Sequence, residues 1–538
     1  MWVLSLDRVE DRTLRRVLEE LAAYAGDDPW ILEDDEVLTF VEAFAQAEQV
    51  ARGLREIGVD QERPVTLLMQ PSSRLVVAGL GAALAGSFFS PVNTDFRGQF
   101  LASAVLTTMA RVLVVDEDLV PAVAPVAGQL ALTHLIVNGT ADSGLESQGF
   151  EVLELAELGA GSNTPLPAVR YSDRLMMWWS SGTTGRPKGI VHSHASLLRA
   201  AALRVSERGL RPDDRFYSCL PMYLGGAWTN GIWPSLLSGL PVGVDPRFSV
   251  SRFWDRTRHY QATQVLTLGA MHMYLLNAPE RPDDADNPIR YFMPVPMAHD
   301  AMARFKKRFA IEQTVQTYGL SEAPCRIFHA PDDGTRWKNA SIGHATPWLE
   351  ARLVDEDDNE VPVGEVGEIT IRGREPSLLF EGYFGDPERT ARAWRNGWFH
   401  TGDLARVDED GEYFFADRKA DYIRHKGRSI SMVEVEEVVR AHPDVAEVAA
   451  FGIQTPELES ESELMISVVP RAGRHIDPAG LARFVNENAP YFFVPYYIDV
   501  VDELPHNGQF KVEKLKLRAR GVTPATWVRE ETDFVVQR

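Results

Sequence analysis

"SSGTTGRPKGIVHSH", residues 180–194, decides how this chain is read. It follows "RLMMWW" (174–179), an apolar strand-like run, and precedes "ASLLRAA" (195–201), a helix-like one, so it marks a loop where a strand ends. Closely spaced glycines (Gly182, Gly185) let backbone N–H groups turn toward an anion, while the hydroxyls of Ser181, Thr183 and Thr184 and the ammonium of Lys188 add donors and charge. Phosphate is the natural guest of such a loop; a glycine-rich surface turn is the plain alternative. The Walker spacing of Gly, four residues, Gly-Lys is absent, which disfavours a P-loop ATPase.

Composition narrows the setting. With 538 residues, 45% of them hydrophobic and 25% charged, the chain can bury large cores, and its length suggests roughly three or four structural units. A net charge of -22 argues against broad nucleic-acid binding and against adhesion to an anionic membrane, leaving room for a local basic pocket. Two cysteines, Cys219 and Cys325, are too few for a disulfide framework. The start, "MWVLSLDRVEDRT", lacks a basic n-region followed by an apolar core, and "VVAGLGAALAGSFFSPV" from Val76 reads as a buried helix and turn closed by Pro91. A cytoplasmic location is the expectation.

From Thr39 the apolar positions Phe40, Phe44, Ala47, Ala51, Leu54 and Ile57 fall at steps of three and four, one face of a helix behind a Thr cap. Short strand-like runs, "VTLLM" (65–69), "VLVV" (112–115) and "HLIV" (134–137), alternate with helical stretches, predicting α/β architecture with largely parallel sheets. Between about 341 and 416, "GEVGEITIRG" and "DEDGEYFFAD" predict a compact β unit. After Asp417 a charged connector leads to a strand, strand, helix, strand series. The expected division is therefore 1–417, a large domain of two α/β sheet subdomains plus a small β-barrel-like unit, and 418–538, a small α+β domain.

With the loop in place, the sequence resembles the adenylate-forming superfamily: acyl- and aryl-CoA ligases, peptide-synthetase adenylation domains and luciferases. The likeness spans nearly the whole chain, because further motifs recur in the family's order: "QTYGLSEA" (316–323), "GWFHTGDLA" (397–405), "DRKADYIRHKGRSISMVEVEEV" (417–438) and "LPHNGQFKVEKLKLR" (504–518). The resemblance implies nucleotide contacts from Ser181, Gly182, Thr183, Thr184, Gly185, Lys188, Thr317 and Gly319. It further implies that Tyr318 stacks on adenine, Ser321 donates to the α-phosphate, and Glu322 holds Mg²⁺ together with Thr183. Asp403 would accept the ribose hydroxyls, with Arg418 beside it, and Lys511 would steady the charge of the transition state. A solvated turn or a surface ion pair is the structural alternative for each. His192 and His194 are expected to be structural, since nothing here has metal-ligand spacing.

The implied reaction has two steps. A carboxylate attacks the α-phosphorus of MgATP to give acyl-AMP and pyrophosphate, and a nucleophile, CoA first among the candidates, then displaces AMP. The small domain is expected to swing about Ala420, bringing Lys511 in for the first step and Lys426 and Gly427 in for the second. Departures from the family's pattern bear on specificity. "MPVPM" (293–297) stands where many relatives carry Gly-Gly-Ala-Pro-Leu, so Met293, Pro294 and Val295 should reshape the acyl pocket; Tyr223-Leu224 replaces an aromatic-His pair; Phe510 stands where glycine usually precedes the lysine. With Trp228 these residues favour a compact or planar acid over a long chain, and core packing is the alternative. An amine, a carrier-protein thiol or nitrite, as in ATP-dependent diazotases, remains open for the acceptor or the activated group, as does a non-catalytic nucleotide binder.

Overall fold

The computed structural model describes residues 4, 6–140, 145, 149–180, 188–268, 270–295, 297, 299–331, 337–338, 341–355, 357–418, 422–425, 428–455, 461–505, 512 and 514–537, without the side chains of 180, 270, 300, 331, 416–418, 422, 424, 428–429, 431, 433 and 515.

An eight-stranded sheet runs in the order Gly382–Tyr383, Lys188–Ser193, Arg174–Ser180, Phe89–Pro91, Val65–Leu68, Val112–Asp116, His134–Asn138, Glu151–Glu154. From Arg174–Ser180 to Glu151–Glu154 its pairs are parallel. Parallel strands are covered on both faces, and Val65–Leu68 accordingly is buried at every position. The helix Phe40–Glu56 starts at the Thr39 cap as the periodicity predicts, with Thr39 and Glu42 closing a reciprocal capping box. The "VVAGLGAALAGSFF" run is the buried helix Ser73–Leu84 and a turn into Phe89–Pro91.

The second sheet has fourteen strands. Pro29–Glu33, Val242–Val244, Phe216–Ser218, Gln264–Leu268, Tyr291–Val295 and Gln313–Leu320 are neighbours in parallel. Beyond Gln313–Leu320 the pairing turns antiparallel through Ala323–Pro331, Ser341–Ala345, Tyr413–Arg418, Trp398–Val407, Val366–Gly373 and Leu349–Val354. The β unit expected between 341 and 416 is thus continuous with the parallel sheet, because the hairpin at 313–331 offers one edge to each. One strand escapes the sequence reading: Lys188–Ser193 pairs antiparallel with Arg174–Ser180, so the glycine-rich segment joins two strands and not a strand to a helix.

The small domain holds a four-stranded sheet, Val445–Ile453, Glu463–Pro470, Tyr497–Val500 and Trp527–Val528, with helices Met432–Arg440 and Pro478–Asn488. It has its own core around Val435, Ile466, Leu481 and Ile498. The charged connector contains a hairpin, Tyr422–His425 with Arg428–Ser431. Phe100 of the large domain packs edge-on against Phe493 of the small one, centroids 5.5 Å apart. Cys219 and Cys325 are buried free thiols. Among the described residues no helix is long and apolar enough to cross a membrane.

Candidate functional site

A cavity of about 1070 Å³ opens between the two domains at the carboxyl ends of the parallel strands Gln264–Leu268 and Tyr291–Val295, the edge at which open α/β sheets bind ligands. Its wall draws on both sheets and on the helix Met432–Arg440.

The TYGLSE segment reaches it by a reversal. The strand Gln313–Leu320 turns back at once, Leu320 pairing with Ala323, so Ser321 and Glu322 form the tip of a two-residue hairpin. Two buried rings hold that tip: Trp178 Nε1 and His192 Nε2 both donate to the Ser321 carbonyl, at 3.0 and 2.8 Å. Burial drives the His192 pKa down to about 3, so its imidazole is neutral, with the proton on Nε2 and Nδ1 3.3 Å from Ser196 Oγ. Its role is positioning, beyond the structural part given to it from sequence. His194 is likewise pushed to about 3 by burial, and its Nδ1 accepts from the Leu14 amide at 3.1 Å.

Glu322 is buried and takes a hydrogen bond from the Tyr383 hydroxyl at 2.9 Å, on the same oxygen that faces Lys188 Nζ at 3.6 Å. Lys188 also sits 5.1 Å over the Tyr383 ring. Burial, followed by the charge of Glu322, raises the Tyr383 pKa well above its ordinary value, so the hydroxyl stays a donor. Asp403, 3% exposed, lies across the cleft on Trp398–Val407, directly opposite Arg418 on the neighbouring strand. Its Oδ2 accepts from the Tyr318 hydroxyl at 2.6 Å, and Glu368 Oε1 fixes the preceding turn by accepting from the Gly402 amide at 3.0 Å. Gly402 has φ +76, a value that favours glycine.

The structure therefore brings Lys188, Thr317, Gly319, Ser321, Glu322 and Asp403 to one cavity. Tyr318 stands behind the wall, hydrogen-bonded to Asp403 and packed 5.5 Å from Phe328. Of the expected acyl-pocket residues Tyr223, Leu224, Met293 and Val295 line the cavity. Trp228 does not: it is fully buried between Phe89 and Trp233, its indole N–H held by the Met222 carbonyl at 2.6 Å, and so belongs to the core. Pro294 lies between the lining residues Met293 and Val295 and is buried in the strand, without facing the cavity. Ser181, Gly182, Thr183, Thr184 and Gly185, together with Ala420, Lys426, Gly427 and Lys511, lie outside the described residues, as does the side chain of Arg418.

Several lining groups went unnoticed in the sequence. Tyr383 and Arg389 come from the edge strand Gly382–Tyr383 and a short helix, outside the quoted motifs, and Glu434 and Glu437 from the helix of the small domain. Burial and the neighbouring Glu437 raise the Glu434 pKa to about 8. Among the described residues there is no cluster of three or more His, Cys, Asp or Glu that could hold a metal by itself.

The family model for AMP-binding enzymes matches residues 18–384, and that for the AMP-binding enzyme C-terminal domain matches residues 434–511. Over 95% of its length the chain is 27% identical to a crotonobetaine/carnitine–CoA ligase of Salmonella agona, which is covered in full. An o-succinylbenzoate CoA synthetase from Bacillus subtilis, bound with a product analogue, superposes with a TM-score of 0.79 at 21% identity, over 95% of this chain and 99% of that one. The amide bond synthetase from Marinactinospora thermotolerans gives 0.82 at 23% identity, over 94% and 99%.

Proposed function

Since the chain belongs to the AMP-binding enzymes, we propose that it is an ATP-dependent ligase that converts a small or aromatic carboxylic acid to its acyl-adenylate and passes the acyl group to the thiol of CoA. The observation that carries this reading is the convergence of Lys188, Glu322 and Asp403 on one interdomain cavity. The ligase names of its relatives support it.

In this reading Asp403 accepts the ribose hydroxyls, with Tyr318 holding its other oxygen in place. Arg418, opposite on the next strand, is assigned to the same ribose. The adenine lies by Thr317 and Gly319, while Tyr318, expected to stack on it, acts from behind the wall through Asp403. Lys188 and the loop residues 181–185 hold the phosphates, and Ser321 is aimed at the α-phosphate by Trp178 and His192, which lock its backbone. Glu322 fits as a carboxylate ligand for Mg²⁺: Tyr383 and Lys188 both engage one of its oxygens, the other takes no bond among the described residues, and Mg²⁺ in nucleotide sites takes one or two carboxylates plus phosphate oxygens and waters. The ion would offset charge on the phosphates during attack.

The acid lies along Tyr223, Leu224, Met293 and Val295. Its carboxylate oxygen attacks the α-phosphorus, the bond to the bridging oxygen breaks, and pyrophosphate leaves. The thiolate then attacks the acyl carbonyl and AMP departs. Lys511 enters for the first step as the small domain pivots near Ala420, and the Lys426-Gly427 segment for the second. Lys511→Ala should therefore abolish pyrophosphate exchange while leaving transfer from supplied acyl-adenylate. Intact adenylation in that variant would contradict the assignment.

The decisive assay incubates the enzyme with MgATP and a panel of acids, with and without CoA, and quantifies AMP, pyrophosphate and thioester. Thioester equal to AMP supports the reading; AMP formed without thioester supports a second one, in which the acceptor is an amine. That alternative draws on Glu434 and Glu437, which line the cavity from the small domain: each raises the cost of a second negative charge there, so the pair suits an amine, whose binding would return Glu434 to its ionised form, better than the phosphates of CoA.

A further inference from the structure

Beneath the acyl part of the cavity lies a concentration of buried positive charge. Arg204, at the end of the helix His194–Glu207, borders the cavity and is 7% exposed; Arg208 and Arg326 stand behind it, also buried. One carboxylate answers them: Glu207 accepts from Arg326 Nη1 at 2.9 Å and shares its other oxygen with His329 at 3.1 Å. Asp214, the next acid on this side, is already bound to Arg290. Among the described residues Arg204 and Arg208 donate to neutral acceptors. Arg204 gives Nε and Nη2 to the Pro324 carbonyl, at 3.0 and 2.8 Å, and Nη1 to Asn230 Oδ1 at 2.9 Å. Arg208 donates to the Asn230 carbonyl and side-chain oxygen, both at 3.2 Å, and lies over the rings of Phe216 and Tyr291.

Three guanidinium groups against one carboxylate leave a surplus of buried cation, and buried charges are normally paired. The hydrogen-bond count agrees: a guanidinium has five N–H groups, and among the described residues the bonds of Arg204 engage three, leaving one on each terminal nitrogen to donate to an anion. Burial, with Arg326 and Arg208 adding to the push, lowers the Arg204 pKa to about 9, so it remains charged at neutral pH while the surroundings oppose it. A second observation marks the spot. Asn230, which bridges Arg204 and Arg208, sits on a π-helical turn, Trp228–Ile232, a distortion often found at functional sites.

The geometry points to Arg204, backed by Asn230, as the receptor for a second anionic group on the substrate: the acid activated here is a compact dianion, with one carboxylate at the α-phosphate and the other at the floor of the acyl pocket. The inference rests on the adenylating reading of the cavity and adds the substrate's charge. The surroundings that favour a dianion disfavour a betaine, whose quaternary ammonium would meet Arg204.

The test compares matched acids on the full-length enzyme: benzoate with isophthalate and terephthalate, hexanoate with adipate, and 4-(trimethylammonio)butyrate as the cation. Calorimetric binding and acid-dependent ATP–pyrophosphate exchange are both measured. At least one diacid should exceed its monoacid about tenfold in kcat/KM, through KM, and bind correspondingly tighter, with the cation poorest. Arg204→Met should bring diacid and monoacid to parity, and Arg204→Lys should restore part of the preference; a purely structural Arg204 would lower both acids alike. Monoacids equal to or better than diacids in every pair, or an unchanged ratio in Arg204→Met, would overturn the inference, and the wild-type comparison decides even where a variant fails to fold. Diacid binding that depends on Arg204 without exchange for any acid would uphold the dianion site and defeat the adenylating reading.

Discussion

Glu322 shows how one side chain gathers its role from its neighbours. A carboxylate this deep needs partners, and it has a hydroxyl and an ammonium on one oxygen. Glu322→Gln should lower kcat for adenylation by about 10²-fold, whereas Tyr383→Phe, which deletes a single donor, should cost about tenfold; equal losses in steady-state kinetics would show that Tyr383 does more than orient. The buried histidines give a pH prediction. His192 and His194 titrate near 3 in the folded chain against 6.5 unfolded, so below pH 6.5 the unfolded state takes up protons first. Stability then declines as pH falls, by up to about 1.4 kcal/mol per pH unit for each imidazole. Urea midpoints should drop between pH 7 and 5, and His194→Asn should flatten that slope. That Lys188, Ser321, Glu322 and Asp403 belong to one site was legible because each sits in a short contiguous pattern. Arg204 and Tyr383 were not, since nothing local distinguishes an arginine on an ordinary helix or a tyrosine on a two-residue edge strand until the sheets bring them to the cavity.

At the scale of elements, the capped helix Phe40–Glu56 and the buried strands followed from periodicity and a cap, both local signals. Thr39→Ala removes one half of the capping box and should lower unfolding free energy by about 1 kcal/mol without changing KM, as read by denaturant titration and kinetics. The strand Lys188–Ser193 was missed for a physical reason: its run "KGIVHS" is short, carries a glycine at its second position and is paired on one side by Gly382–Tyr383, far along the chain. The antiparallel unit was read as separate because turn residues between short strands say nothing about which edge they join. Tertiary pairing settled both.

For the whole molecule, the contact of Phe100 with Phe493 and the presence of Glu434, Glu437 and Val438 in the cavity wall place the small domain's first helix against the cavity. In the proposed cycle that helix, which follows the strand Arg428–Ser431, belongs to the position for transfer. Phe100→Ala should accordingly slow thioester formation from acyl-adenylate several-fold while changing pyrophosphate exchange less than about twofold, since it weakens one of two domain positions; parallel loss of both half-reactions would contradict a two-position cycle. The central claim is that a carboxylate oxygen of the substrate bonds to the α-phosphorus, and isotope transfer tests it most directly. With an acid labelled with ¹⁸O in both carboxylate oxygens, mass spectrometry of the released AMP should find one ¹⁸O per molecule and none in pyrophosphate. Unlabelled AMP, or label in a β- or γ-phosphate product, would contradict the account.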